Sequence, residues 1–519
     1  MAYNQPYIIL GDSTKRTQGR DAQSMNIAAG KAVAEAVRTT LGPRGMDKML
    51  VTSSGDVVIT NDGATILKQM DIEHPAAQMI VEVSESQEEE VGDGTTTAAV
   101  IAGQLLAKAE KLLEDDVHPT TIVEGYSEAN QIAQEAITSH ILDETLDDVT
   151  LQKVATTSMT GKGTGDVSPE ELSKIIVDAV KHVTKSGKVS RDDIHLQTRV
   201  GASSSATELV KGFILESERA HEHMPKSISK GKVLILDMDL EIRDPEVDAE
   251  FTITSVDQLT AAFEAEEAEL RGYADAISKA GVNVVFCTED IDDRVAGFLS
   301  DKDILAFEDV NSDDAKALSR ATGAMRVATL HNLSDEDLGQ VESIEIQKFN
   351  DDELTFVEAG SKAEAVTVFL RGGTAHIVDE LERAVGDGLD VVTAAVESGE
   401  VVPGAGVVEI GIASRVRSLA ASIEGRKQLA VEAFADAVEV IPRTLAENAG
   451  LDQIDTLVDL RAANDSGRAG IIAKGESGVL DDPVTHGILD PAAVKREAID
   501  SATEAATMIL RIDDVIAAS

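Results

Sequence analysis

Gly92-Asp93-Gly94-Thr95-Thr96-Thr97 runs directly into Thr97–Leu106, a stretch in which almost every residue is apolar or small. A stretch with no polar face predicts a helix buried on all sides, so other structure has to cover it completely. Its N-terminus then carries unpaired backbone N–H groups at a positive dipole end, which suits a phosphate. Glycines allow close approach to that backbone, and the threonine hydroxyls add donors. Asp93 would repel a phosphate unless a cation stood between them, and Mg²⁺ held by a carboxylate and phosphate oxygens fits that place. A plain cap, in which Asp or Thr satisfies the helix donors, is the competing reading, and the hexapeptide alone leaves both open.

Glycine turns next to acidic residues occur at the two ends of the chain and are missing from its middle. Ile27, Gly30, Ala34, Val37 and Leu41 fall at helical spacing, and Leu41-Gly42-Pro43 stops that helix. Met49–Val51 and Val57–Thr60 read as short strands joined around Ser54-Gly55. In the middle, Val233–Asp237, Val284–Cys287, Ile304–Phe307 and Arg326–Thr329 are short β-rich runs separated by helical segments, which predicts a small α/β unit with a largely parallel sheet. No glycine-rich phosphate turn follows any of them. A long helical pattern returns at Ala375–Glu397, followed by Gly404-Ala405-Gly406 and more helix. The economical arrangement is one domain split in sequence, with the α/β module inserted into it. At 519 residues the chain is too long for a single core, and about three domains are expected.

Charge narrows the functions. Asp and Glu number 94 against 46 Lys and Arg, a formal net charge of −48. That balance disfavours binding nucleic acid through its phosphates. The acid is spread rather than blocked: Glu88-Glu89-Glu90, Glu114-Asp115-Asp116, Glu264–Glu269 and Asp481-Asp482 lie far apart. A dispersed excess reads as a halophile surface, tolerable in molar salt where screening acts over about 3 Å. There is no apolar run long enough to span a membrane and no signal-like N-terminal pattern, so a soluble, cytoplasmic protein is expected. The single cysteine, Cys287, follows the apolar run Val284–Phe286 and reads as buried filler.

Other residues bear on chemistry less decisively. Asn61-Asp62-Gly63-Ala64-Thr65 is a second acidic turn between a strand and a helix; alone it is a turn with a cap, but a second carboxylate at a phosphate site can share metal binding and water activation. Gly161-Lys162-Gly163 is a basic turn, either a solvated loop or a phosphate contact. Asp387 and Asp390 sit three apart in one helical stretch and hence on one face, and spacing does not choose between them or exclude a solvated acidic face. No P-loop motif and no nucleophile elbow occur, and His221 and His223, only two apart, show no metal spacing.

Taken together, Thr40–Leu50, Asn61–Leu67 and Gly92–Thr97 resemble the ATP site of the chaperonins in order and spacing. His118-Pro119-Thr120, Ala446–Asp452 and Arg511–Ile516 resemble group II specifically, the archaeal thermosome kind, and the likeness runs nearly end to end. The resemblance implies a multidomain α+β and α/β protein. A mainly helical equatorial ATPase domain, split in sequence, would comprise residues 1–145 and 403–519. A small intermediate hinge domain would take 146–214 and 367–402, and an inserted α/β apical domain 215–366. It implies an ATP-dependent chaperone that uses Mg²⁺, binds unfolded client proteins and forms a homo- or hetero-oligomeric double ring with eight subunits per ring. Nucleic acid and membrane are not implied partners.

Carried over by position, Leu41, Gly42 and Pro43 would line the nucleotide, Asp93 would hold Mg²⁺, and Gly94, Thr95, Thr96 and Thr97 would hold phosphates. Asp62 and Asp387 would position the attacking water, which chooses Asp387 over Asp390. Asp490 would reach the ribose, Lys162 matches a nucleotide-sensing lysine, and Gly404, Ala405 and Gly406 stand at a nucleotide-binding turn. Two departures stand out. The family's Gly-Gly-Gly turn reads Gly404-Ala405-Gly406, a costly change if φ at Ala405 is positive. Ile471-Ile472 occupies the place near the adenine where an asparagine is common. Glu241–Leu270 resembles the helical protrusion that serves as a built-in lid, with Phe251, Ile253, Leu259 and Phe263 as its contacts. From another class, a metal-dependent phosphohydrolase of small molecules could use the same acidic turns, although it would hardly need the inserted module.

Overall fold

The computed structural model describes residues 15–51, 55, 57–242, 256–349, 352–359, 363–475 and 477–517. The chain forms two compact units, one from residues 1–177 with 375–519 and the other from 178–374. Insertion of the middle into a body made by both ends is therefore borne out.

The first unit is helical. Its central helix, Thr95–Glu114, buries Ala98, Ala99, Ile101, Ala102, Leu105, Leu106 and Ala109 completely. Helices Arg20–Arg38, Pro75–Val91, Pro119–Ser139, Lys427–Val438 and Ala492–Leu510 surround it and share its core. Two glycines set how closely the first of these crosses it. A Cβ on Gly103 would lie 2.2 Å from the Ala34 methyl, and one on Gly30 would lie 2.6 Å from Leu106. The buried Tyr126 hydroxyl donates to the Leu105 carbonyl at 2.8 Å, so even this polar atom inside the core is satisfied. The split is closed by strand pairing: Lys15–Gln18 runs antiparallel to Asp514–Ala517. Val401–Pro403 pairs in the same sense with Leu489–Pro491.

The second unit holds the expected strands. Val284–Cys287 pairs in parallel with Leu305–Phe307 on one side and with Ser227–Leu236 on the other, and Arg326–Val327 also pairs in parallel with Ser227–Leu236. The expectation of a largely parallel sheet needs correction, because Gly339–Phe349, Asp352–Glu358 and Gly212–Leu215 extend this sheet antiparallel. The first of these alternates buried and exposed residues, with Gln340, Glu342, Glu345 and Gln347 outward. One solvated face is what antiparallel strands permit, and those polar side chains disguise the strand in a scan for apolar runs. By contrast Val233–Leu236 and Val284–Cys287 are buried on both faces. A separate sheet joins Ile194–Val200, Val366–Gly372 and Glu208–Val210. Cys287 is buried as expected, its thiol pushed up to about 12 by burial.

Candidate active site

Two backbone reversals make the mouth of the central helix. Gly92 and Gly94 both have left-handed φ, 67° and 81°, and flank Asp93. Gly94 is the helix N-cap, and no side chain caps that end. The N–H groups at this end therefore face a cavity of about 430 Å³ without an internal side-chain acceptor. Asp93 is turned by its own loop, its Oδ1 accepting from the Gly94 N–H at 2.7 Å, while Gln87 donates to the Asp93 carbonyl at 2.7 Å. A plain cap by Asp93 or Thr95 is not what the geometry shows.

The second acidic turn lies against the first. Asp62 caps the short helix Gly63–Gln69, its Oδ2 accepting from the Thr65 N–H at 2.7 Å. A Cβ on Gly63 would stand 2.3 Å from the Thr96 hydroxyl, so only glycine lets the two helix starts meet. Asp387, on the helix Ala375–Ser398, forms an ion pair with Lys162. The basic turn is thus tied to the cavity rather than solvated. Asn61 holds it further by donating to the Gly161 carbonyl at 2.8 Å. Asp390 packs against Gly92 and is not among the residues that line the cavity.

Electrostatics follow from this crowding. Burial lifts the Asp387 carboxyl to about 7; Lys162 opposes the shift, and Asp62 and Asp93 add to it. Burial would lower Lys162, but Asp387, Asp93 and Asp62 outweigh it and hold the ammonium above its usual range. Three carboxylates around one ammonium leave net negative charge and hard oxygen donors, which fits a divalent cation. Among the described residues no three His, Cys, Asp or Glu side chains form a ready-made metal cluster, so the protein would supply only part of the coordination shell.

Part of the cavity lining is apolar. Ile441, Leu445, Ile471, Ile472 and Ala405 line it together with Leu41, Gly42 and Pro43. A Cβ on Gly42 would stand 2.4 Å from Leu445, and the φ of 83° there also requires glycine. Ala405 has φ 57°, so the departure from the all-glycine turn does carry backbone strain. Gly406, Thr95, Thr96, Thr97 and Asp490 line the cavity as well. Gly404 instead abuts Asp490, and a Cβ there would lie 3.1 Å from its Oδ2. Sequence reading missed Glu88, Thr157 and Lys495, which also line the cavity. For Lys495 a signal existed, a lysine directly after the small and apolar helix start Ala492-Ala493-Val494.

Of the lid residues, Phe251 and Ile253 lie outside the described residues, and Leu259 falls in the helix Val256–Lys279. Phe263, on the same helix, is 60% exposed.

A cavity lined by carboxylates, a lysine and an uncapped helix start thus lies on a body made from both chain ends, with a second compact unit inserted between them in sequence. The match to the TCP-1/cpn60 chaperonin family covers residues 33–519, and the chain belongs to that family. It is an ATP-dependent chaperonin of group II that hydrolyses ATP to promote protein folding. It is 66% identical to thermosome subunit 3 of Haloferax volcanii over 517 residues, 99% of each chain. It is 51% identical to thermosome subunit alpha of Halobacterium salinarum, across 99% of this chain and 92% of that one. Thermosome subunit beta of Methanothermobacter thermautotrophicus is also 51% identical, across 99% and 95%. Family membership sets aside the small-molecule phosphohydrolase.

Proposed function

We propose that this cavity is the ATPase site, and that the Asp387–Lys162 ion pair beside Asp62 and the uncapped helix start carries the reading. The N–H groups and hydroxyls of Gly94 to Thr97 bind phosphates, the apolar lining residues take the adenine, and Asp490 accepts from the ribose. Asp93 would hold Mg²⁺, and the ion would supply positive charge to offset that of the phosphates. Asp62 and Asp387 orient a water toward the terminal phosphorus, and the Asp387 carboxylate accepts its proton as the new P–O bond forms and the bridging P–O bond breaks. Lys162 keeps Asp387 aimed at that water and neutralises it until phosphate arrives.

The same chain works as one subunit of a cytoplasmic double ring, eight subunits to a ring, homo- or hetero-oligomeric, enclosing unfolded clients beneath a built-in lid. The ring is supported by the two-stranded ribbon Lys48–Val51 and Val57–Thr60, which leaves Met49, Val51, Val57 and Ile59 exposed. An isolated apolar ribbon is marginal alone and gains by adding strands from a neighbour. Division into equatorial, intermediate and apical domains accounts for a hinge between ATPase and client-binding parts. Among the described residues no helix is long and apolar enough to cross a membrane. The acidic surface and the similarity to Haloferax and Halobacterium subunits support work in molar salt.

Asp387→Asn tests the site while leaving Lys162 an acceptor. Turnover is expected to fall by about 10²–10⁴-fold with ATP affinity nearly unchanged, the mark of a group that acts in the transition state. Normal turnover in this variant, with Asp390→Asn inactive instead, would place the chemistry on the wrong helical turn.

A further inference from the structure

Lys495 breaks two local rules at once. It occupies the first turn of the helix Ala492–Leu510, where a positive charge opposes the helix dipole, and its side chain is only 13% exposed. Two carboxylates hold it there. Its ammonium lies 2.9 Å from Glu409 Oε1 and 2.9 Å from Asp490 Oδ2. Glu409 is itself 2% exposed, on the first turn of the helix Val407–Ala420, and its second oxygen, Oε2, is buried without a partner. A buried, half-satisfied carboxylate and a buried lysine are poor stabilising devices, since desolvation offsets most of their attraction. Violations of this kind concentrate where function requires them.

What the arrangement does accomplish is to immobilise Asp490. That residue's backbone is fixed by pairing with Val402, and Gly404 leaves room for its carboxylate. Lys495 takes Oδ2, which leaves Oδ1 as the oxygen able to accept from a cavity ligand. The two carboxylates outweigh burial and keep the ammonium charged. Without it, Glu409 and Asp490 would repel each other and Asp490 would turn. A side chain locked in advance loses no rotamer freedom when ligand arrives, and affinity gains accordingly.

We propose that Lys495, anchored by Glu409, is the positioning residue for Asp490, and that this triad sets discrimination for a ribose diol over a deoxyribose. This rests on Asp490 being the ribose contact. The test is steady-state hydrolysis of ATP and 2′-deoxy-ATP by assembled particles, read as the ratio of kcat/KM. The parent protein favours ATP by about tenfold, the scale of one hydrogen bond to a charged acceptor. Glu409→Gln/Lys495→Met, which removes both buried charges together and leaves Asp490 untouched, brings that ratio near unity and raises the KM for ATP more than it lowers kcat. Glu409→Gln alone, of unchanged shape, loosens the tether and lowers the ratio severalfold; it decides the matter if the double variant does not assemble. Retention of the parental ratio in these variants, while Asp490→Asn loses it, overturns the positioning role and leaves the ribose contact standing. Retention of the ratio in Asp490→Asn overturns both.

Discussion

Glu439 is fully buried at the junction of the helices Lys427–Val438 and Val440–Asn448, and its replacement tests what holds the first unit together. Arg417 grips it bidentately, Nη1 to Oε1 at 2.7 Å and Nη2 to Oε2 at 2.6 Å. Arg461 does the same from the helix Gln453–Ser466, with Nε to Oε1 at 2.7 Å, and Arg443 stands 3.6 Å away. Glu439→Gln leaves guanidinium groups facing a neutral amide. Breaking a fully buried pair costs about 3–5 kcal/mol, and an exposed pair about 0–1. The arginines are 30%, 42% and 32% exposed and regain some water, so the expected loss is roughly 2–4 kcal/mol. Molar salt leaves this loss in place, because no ion reaches the carboxylate. The pair Arg271–Glu267, more than half exposed on both sides, is the control, and Glu267→Gln changes stability by less than about 0.5 kcal/mol.

The pH dependence has a definite sign. Burial would raise the Glu439 pKa, but Arg417 and Arg461 outweigh it and hold the carboxyl below its ordinary value. The folded state therefore binds fewer protons, so the stabilisation is present above the unfolded pKa of about 4.3 and is lost as pH falls through the depressed folded value. Glu439→Gln removes that part of the acid limb. Because Ile441 and Leu445 on the following helix line the cavity, the KM for ATP rises too. Denaturant unfolding followed by circular dichroism in molar KCl provides the measurement. Stability within about 0.5 kcal/mol of the parent at neutral pH would refute the reasoning, since surface pairs alone fall in that range.

Lowering salt from molar to about 0.1 M, where screening extends over about 10 Å, should destabilise the rings or dissociate them; melting that ignores salt across this range contradicts a halophile surface. Ala405→Gly relieves a left-handed alanine worth about 1–2 kcal/mol, partly offset by unfolded-state entropy, so a slightly higher denaturation midpoint is expected and a lower one would show that the methyl packs usefully. Replacing residues 246–267 with a short flexible linker should spare ring and ATPase, since Leu270, Ala274 and Ile277 beyond the cut are the fully buried part of their helix. The trimmed protein should fail to protect a trapped client from protease, and full protection would remove this segment from the lid.

The sequence by itself determined the parts whose signals are local. The small-residue run after Gly94 can be buried only as a central helix, and the glycine turns at Gly42, Gly92 and Gly94 announce backbone that only glycine adopts readily. The β-branched apolar runs Val233–Leu236 and Val284–Cys287 read as strands and are buried strands in the fold, and the absence of phosphate turns between them marked the inserted module. Spacing could not rank Asp387 over Asp390, because three residues apart on a helix they share a face in one dimension. Tertiary structure separated them, sending Asp387 to Lys162 and Asp390 against Gly92. It also recruited Lys495 and Glu409, 86 residues apart, into one buried cluster, and gathered three arginines onto Glu439. The physical reason is range: capping, φ preference and apolar periodicity act within a few residues, whereas a buried charge is defined by whichever partners folding brings to it from distant helices.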